Sequence, residues 1–363
     1  MVFYIRFLKT PRFQKQKGVV SVSALICITT DLGDAFLAED AHLLATLSVN
    51  QTGKSLYKEP LKWTAGKREL PISLGPFPEH LARQTVVLGV NAIEPQRAEM
   101  RWNDAIMGGT GVPLVISGWS APFGGSRSLV AEKLVERRFG PTDRLILRIW
   151  EETGNSIARH IWDAALASVI HLEQIVQGGS KSTLPVFSEL LQNPRDKPLQ
   201  VLELGSGCGI VGIALAELLP QCFVLLTDLP EVEDIVMQNI AVARPAQSSK
   251  IEYQNLDWDE SLPENLCHES IDLILVSDCT YNADSLPALV SVLDRLVRSS
   301  PSALILVALK RRHESEAIFF DLMQSAGLCN RHQVQTVTLP AQHDQLDCIE
   351  LHCYGRNPQP GSG

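Results

Sequence analysis

The chain has 363 residues, a formal net charge of −9, 45% hydrophobic and 20% charged residues, the make-up of a folded chain with room for two domains. The acidic balance argues against a nucleic-acid binder, whose footprint is a basic face. No apolar run reaches the ~18 residues that a membrane-spanning helix needs, so no membrane partner is expected. The eight cysteines (Cys27, Cys208, Cys222, Cys267, Cys279, Cys329, Cys348 and Cys353) form no Cys-x-x-Cys pair. Several fall in apolar runs, which suits reduced, buried thiols of a cytoplasmic protein better than a disulfide framework or a metal cluster.

In chain order, residues 1–20 carry Arg6, Lys9, Arg12, Lys15 and Lys17 with no acid before Asp31. They are expected to be a disordered basic arm; an import presequence is the alternative, which leaves mitochondrial or nuclear placement open. Residues 21–140 show strand-like runs at Val20–Thr29, Leu43–Val49, Thr85–Val90 and Val112–Ile116, with Leu145–Trp150 just beyond. Glycine and proline turns punctuate them, and a β-rich N-terminal domain or extension is expected. The glycine run Ile106–Gly111 lacks the lysine of a phosphate loop and reads as a turn.

Residues 141–356 change texture to alternating helix and strand. The spacing of Ile157, Ile161, Ala164, Ala165, Val169 and Leu172 predicts a helix over Ser156–Val176. A Gly178-Gly179-Ser180 loop follows, then apolar strands at Leu199–Leu204, Cys222–Thr227, Ile271–Ser277 and Ala303–Leu309. Short continuous apolar strands between helices belong to a parallel sheet covered on both faces. Gln333–Leu339 and Asp347–Cys353 are joined by too short a link for a crossover helix, so they should pair antiparallel. The tail, residues 357–363, reads as disordered.

The strongest motif is Val201-Leu202-Glu203-Leu204-Gly205-Ser206-Gly207-Cys208-Gly209, an apolar strand entering a glycine turn, with a helix of small residues after it. A dinucleotide fingerprint would read G-x-G-x-x-G and hold pyrophosphate. Here the carboxylate of Glu203 precedes the turn; it would repel phosphate and suits a ligand bearing an ammonium group. S-adenosylmethionine has one, and no phosphate. The second strand ends in Thr227-Asp228, where a carboxylate can accept hydrogen bonds from both ribose hydroxyls. A third station, Leu256-Asp257-Trp258, falls where a side chain can flank an adenine ring.

From Val201 to Tyr281 the chain resembles the family-16 seven-β-strand methyltransferases, which include the methyltransferase-like 21 group of protein-lysine methyltransferases. The matching pieces are ELGSGCGIVGIALA, TDLPEV, LDW and DLILVSDCTY, with TGNSIARHIWDAAL upstream. The resemblance covers roughly residues 150–355. It implies an α/β fold, a Rossmann-like seven-stranded methyltransferase sheet preceded by the β-rich extension. It also implies S-adenosyl-L-methionine as cofactor, held by Trp162, Gly205, Ser206, Gly207, Asp228, Trp258 and Ser277, with Glu203 beside them.

The acceptor end reads Ser277-Asp278-Cys279-Thr280-Tyr281, similar to the D-x-x-Y signature of the lysine-modifying enzymes and unlike the Asn-Pro-Pro-Tyr of amide and adenine methylation. Asp278 is expected to guide a lysine ammonium inward and Tyr281 to orient the amine, both as catalytic residues. Asp278 lacks the partners of a metal site, and no metal is expected. Lys310-Arg311-Arg312-His313 reads as a solvated loop, with contact to an acidic protein substrate as the alternative. The implied activity is methylation of a lysine in a protein such as a translation elongation factor or chaperone. A small-molecule or other side-chain methyltransferase, and a non-catalytic partner-binding subunit, stand as alternatives; the oligomeric state is not read.

Overall fold

The computed structural model describes residues 1–93, 112–140, 147–154, 156–177, 183–268, 270–343 and 345–356. The glycine run 106–111, the loop at 178–180 and the tail 357–363 lie outside them. The chain divides into two compact units, Met1–His160 with Leu339–Asp347, and Ile161–Thr338 with Cys348–Gly363.

In the first unit β1 (Phe3–Gln16), β2 (Val19–Thr29), β5 (Leu70–Pro78) and β7 (Val115–Ile116) form a four-stranded sheet ordered β5-β2-β1-β7. A six-stranded sheet contains β3 (Ala41–Val49), β4 (Ser55–Trp63), β6 (Val86–Ile93), β8 (Gly118–Ser120), β9 (Leu134–Phe139) and β10 (Leu147–Glu152). The β-rich character follows the sequence, but the basic arm does not. Residues 3–16 are a strand paired antiparallel with β2. Phe3, Ile5, Phe7 and Phe13 are buried while Lys9, Arg12 and Lys15 are exposed, with register shifts on both sides of Lys9, so the apolar residues that anchor the strand were present beneath the charge count. β4 went unread because it is an edge strand whose outward positions carry Lys58, Pro60 and Lys62, residue types that suit an edge. Arg137 of β9 and Glu151 of β10 form a fully buried ion pair, Nε to Oε1 at 2.8 Å. Arg137 Nη1 also donates to the Ser117 carbonyl at 2.9 Å, one of the further bonds a buried charge requires.

The second unit opens with α1 (Asp163–Val176) and α2 (Pro185–Gln192). The expected helix over 156–176 begins seven residues late, at Asp163. Ahead of it the Glu152 N–H donates to the Arg159 carbonyl at 3.0 Å, and Arg159 Nε meets the Glu152 carboxylate at 2.8 Å. That closed turn takes the segment which the apolar spacing had assigned to helix, and leaves Ile157 54% exposed.

Then come β11 (Leu199–Leu204), α3 (Ile210–Leu218), β12 (Cys222–Asp228), α4 (Glu233–Val242), β13 (Lys250–Asn255), α5 (Glu264–His268), β14 (Leu273–Ser277), α6 (Leu286–Ser299), β15 (Leu304–Leu309) and α7 (Ile318–Ser325). β16 (Leu328–Asn330), β17 (Gln335–Pro340) and β18 (Leu346–Arg356) complete the sheet, ordered β13-β12-β11-β14-β15-β18-β16, with β17 also on β18. The strands from β13 to β15 are parallel and β18 runs antiparallel to β15. The order is that of the Rossmann-like methyltransferase sheet. Eight strands are counted rather than seven because two short pieces, β16 and β17, share the position beside β18.

The sheet core is made by the continuous apolar strands, with α6 laying Leu286, Leu289, Val290, Leu293, Leu296 and Val297 into it at helical spacing. Among the described residues no helix is long and apolar enough to cross a membrane.

Candidate active site

β11 pairs in parallel with β12 on one side and β14 on the other, so the strand order reverses across it. In open parallel sheets the carboxyl ends of strands at such a reversal leave a crevice for ligands. Gly205, Ser206, Gly207, Asp228, Ser277 and Asp278 stand at or just past these three strand ends.

The glycine turn is held from three directions. Gly205 has φ 64°, and a Cβ there would stand 2.5 Å from Cys279 Sγ and 3.2 Å from Trp258 Cζ2. Glycine therefore lets the end of β14 and the Trp258 ring close onto the turn. The Ser206 N–H donates to the Thr227 carbonyl at 3.0 Å. The Gly207 N–H donates to Asp228 Oδ2, and the Leu229 N–H to Oδ1, both at 2.7 Å. Burial pushes the Asp228 carboxyl above its usual range, against the pull of those two amides.

Glu203 is placed otherwise than the sequence suggested. It is 2% exposed, and its Oε2 accepts from the Gly212 N–H at 2.8 Å. Gly212 is the third residue of α3, one of the first-turn amides that have no partner within their own helix. Glu203 thus caps α3 from beneath the turn and does not stand open to a ligand ammonium. Burial, with the Gly212 amide opposing it and Asp228 adding to it, raises its carboxyl to about 8.

Two hydroxyls at the strand ends are open. Ser206 Oγ and Ser277 Oγ are buried with no hydrogen-bond partner in the protein, and buried polar groups left unpaired call for an explanation. They stand at the ends of β11 and β14, with Asp228 at the end of β12 and Trp258 over Gly205. Two unpaired hydroxyls, a carboxylate with remaining acceptor capacity and an aromatic ring fit a polar nucleoside ligand carrying no phosphate.

The acceptor residues also differ from expectation. Asp278 is buried at φ 56°, and it is not a free carboxylate. Arg312 Nη1 donates to its Oδ1 at 2.6 Å and Nη2 to its Oδ2 at 2.8 Å. The Arg312 guanidinium in turn stands 5.3 Å from the centroid of the half-buried Trp162 ring, which joins Trp162 to the strand ends. Tyr281 follows the same turn and is 55% exposed.

The run Lys310–His313 is only partly solvated: Arg311 and His313 are exposed, while Lys310 and Arg312 are drawn inward. Lys310 is buried and pairs with Asp163 Oδ2 at 2.9 Å, while Arg311 makes two bonds to Glu350, at 2.8 and 2.9 Å. The available signal was position: four basic or titratable residues directly follow an apolar strand of a sheet in which Asp228 ends β12 and Asp278 directly follows β14.

Comparison with known proteins gives a consistent picture. Residues 141–326 match the family model for lysine methyltransferases. The UPF0665 family protein C23C4.06c of Schizosaccharomyces pombe is 26% identical over 331 residues, covering 87% of this chain and 91% of that protein. The protein N-lysine methyltransferase METTL21A of Xenopus tropicalis is 30% identical over 48% of this chain and 70% of its own length. From the same frog, EEF1A lysine methyltransferase 3 is 27% identical over 49% of this chain and 70% of its own length.

Proposed function

Since the chain belongs to the lysine methyltransferase family, we propose that it transfers a methyl group from S-adenosylmethionine to the side-chain amine of a lysine in a protein substrate. The observation that carries this is the meeting of three strand ends: the Asp228 carboxylate on the Gly207 amide, beside the buried, unpartnered hydroxyls of Ser206 and Ser277. When bound, S-adenosylmethionine supplies a methyl group on a sulfonium, an activated carbon with a neutral leaving group.

The chain's residues divide the remaining work. Gly205, Ser206 and Gly207 would hold the amino-acid end of the cofactor, Asp228 the ribose hydroxyls, Trp258 and Trp162 its flat surfaces, and Ser277 the edge nearest β14. Glu203 supports this from behind by fixing the start of α3. The acceptor side is the turn after β14. A lysine attacks only as free amine, although its ordinary pKa is about 10.4. Burial of its head beside a positive sulfonium favours the uncharged form. Tyr281, exposed on that turn, would line the entrance and orient the nitrogen, and Asp278, closed by Arg312, would shape the site. The amine nitrogen forms its bond to carbon as the carbon–sulfur bond breaks, and the amine's proton leaves to solvent, so positioning and exclusion of water provide most of the acceleration. A translation elongation factor or a chaperone is the substrate class proposed; the relative named as an EEF1A lysine methyltransferase supports the former.

The test is incubation with isotopically labelled S-adenosylmethionine and a cell extract, followed by identification of the labelled band and its modified side chain. Label on a lysine is expected. Label on another side chain or on a small molecule would replace the acceptor class. Absence of any affinity for S-adenosylhomocysteine would favour a partner-binding subunit and refute the enzyme.

A further inference from the structure

The basic run after β15 contributes a residue that the transfer chemistry above does not use. The Arg312–Asp278 pairing engages both carboxylate oxygens with both terminal guanidinium nitrogens, at 2.6 and 2.8 Å, the two-point geometry that makes such pairs strong. The side chains are 18% and 3% exposed respectively, so solvent and salt screen the pair little. The carboxylate is fixed by its backbone as well. Asp278 sits in the left-handed region, which aspartate tolerates better than most residues, and its N–H donates to the Ala308 carbonyl at 2.8 Å. Beyond Asp278, the guanidinium lies against Trp162. It also lines, with Thr280, Leu309 and Phe320, a cavity of roughly 360 Å³ at the ends of β14 and β15. The other charges around it are engaged in part: Glu316 Oε2 accepts from the Arg312 backbone N–H at 3.4 Å, Arg311 is bound to Glu350, and His313 lines the same cavity.

We propose that Arg312 is a positioning residue for the methyl acceptor: by holding both oxygens of Asp278 in a closed ion pair it weakens the counter-ion offered to the incoming lysine at the end of β14 and so favours the uncharged amine. This rests on the lysine-methyltransferase reading. A bare buried carboxylate at that turn would bind the ammonium form and raise its pKa, which is the wrong direction for a nucleophile. The pair removes that penalty while leaving the carboxylate in place to shape the turn. Contact of the same guanidinium with Trp162 ties the start of α1 to the acceptor end of β14, so one side chain sets both walls.

The test compares two ligands of the full-length protein by calorimetric titration at pH 7. S-adenosylhomocysteine carries no charge where the methyl group would be. Sinefungin carries an amine-bearing carbon in place of the methyl-bearing sulfur, so its amine stands where the methyl meets its acceptor. The ratio of the two affinities reports the charge that this end of the site prefers, without any substrate protein.

Arg312→Met should shift the ratio toward sinefungin by at least tenfold, because Asp278 then lacks the guanidinium charge and attracts the amine more strongly. The double variant Arg312→Met/Asp278→Asn should return to the wild-type ratio, and Arg312→Lys, which retains the charge, should keep it. A ratio within twofold of wild type in Arg312→Met, or a shift of equal size in Arg312→Lys, would overturn the proposal. If Arg312→Met does not fold, Arg312→Gln is held to the same tenfold expectation. Loss of both ligands in both neutral variants would also overturn it, by making Arg312 a support of the fold alone. A wild-type protein that binds neither ligand is a separate outcome: it removes the methyltransferase reading itself, and this inference with it.

Discussion

Replacing Gly212 by alanine should destabilise the second unit, against the usual preference of helices for alanine. Gly212 lies inside α3, where alanine normally gains about 1 kcal/mol over glycine. The space is already taken. A Cβ would stand 2.5 Å from Leu226 Cδ2, 2.6 Å from Glu203 Oε2 and 2.8 Å from Val224 Cγ1. Overfilling a packed core by a methyl group costs about 1–3 kcal/mol. Pushing the Glu203 carboxyl off the Gly212 amide adds about 1–3 kcal/mol for two buried groups left unpaired. Set against the propensity gain, the net loss is about 3 kcal/mol. Denaturant unfolding of wild type, Gly212→Ala, Glu203→Ala and the double variant would measure it. The double variant should cost at least about 1 kcal/mol less than the sum of the singles, because removing Glu203 vacates one of the three clashing positions. A neutral or stabilised Gly212→Ala, or strict additivity in the cycle, would refute the packing argument and with it the role of Glu203 as the cap of α3.

Glu203 should also make stability depend on pH. Its carboxyl is raised by burial from 4.5 to about 8, so the folded state keeps a proton that the unfolded chain has lost. The contribution is complete below about 4.5 and disappears as pH rises toward and through about 8, with a slope of at most about 1.4 kcal/mol per pH unit. Glu203→Gln should flatten the unfolding free energy across that window, and a slope parallel to wild type would count against the assignment. Lys310→Met takes the ammonium away from the buried Asp163 carboxylate and should cost about 3 kcal/mol in urea unfolding; a loss under about 0.5 kcal/mol would mean the pair is as weak as a solvated one. Asp228→Ala should lower affinity for S-adenosylhomocysteine at least tenfold in a titration, while the orphaned Gly207 and Leu229 amides cost about 1–2 kcal/mol of stability. Unchanged affinity would take Asp228 out of the ribose position.

Much of the second unit could be read from local pattern. β11, β12, β14 and β15 are continuous apolar runs bounded by turn residues, and a strand buried on both faces can hardly be written otherwise. The glycine turn and Asp228 stand at strand ends that this pattern fixes to within a residue. Elsewhere local signals competed. β1 mixes buried aromatic and aliphatic residues with exposed basic ones across two register shifts, and a count of charges hid the apolar residues. The start of α1 has a helical apolar spacing, but the bonds between Glu152 and Arg159 claim the chain first.

What the sequence determined by itself was the succession of elements and the strand–turn–helix that cradles a ligand, because hydrophobic periodicity and turn chemistry act between near neighbours. What only the tertiary structure decided was which charges meet. Asp278 and Arg312 are 34 positions apart and Asp163 and Lys310 are 147 apart, and no spacing rule connects them. The first pair meets because the sheet order sets β14 beside β15 and the second because α1 packs against β15, and a charge carried into the interior must find its opposite there or lose far more in hydration than the fold can recover.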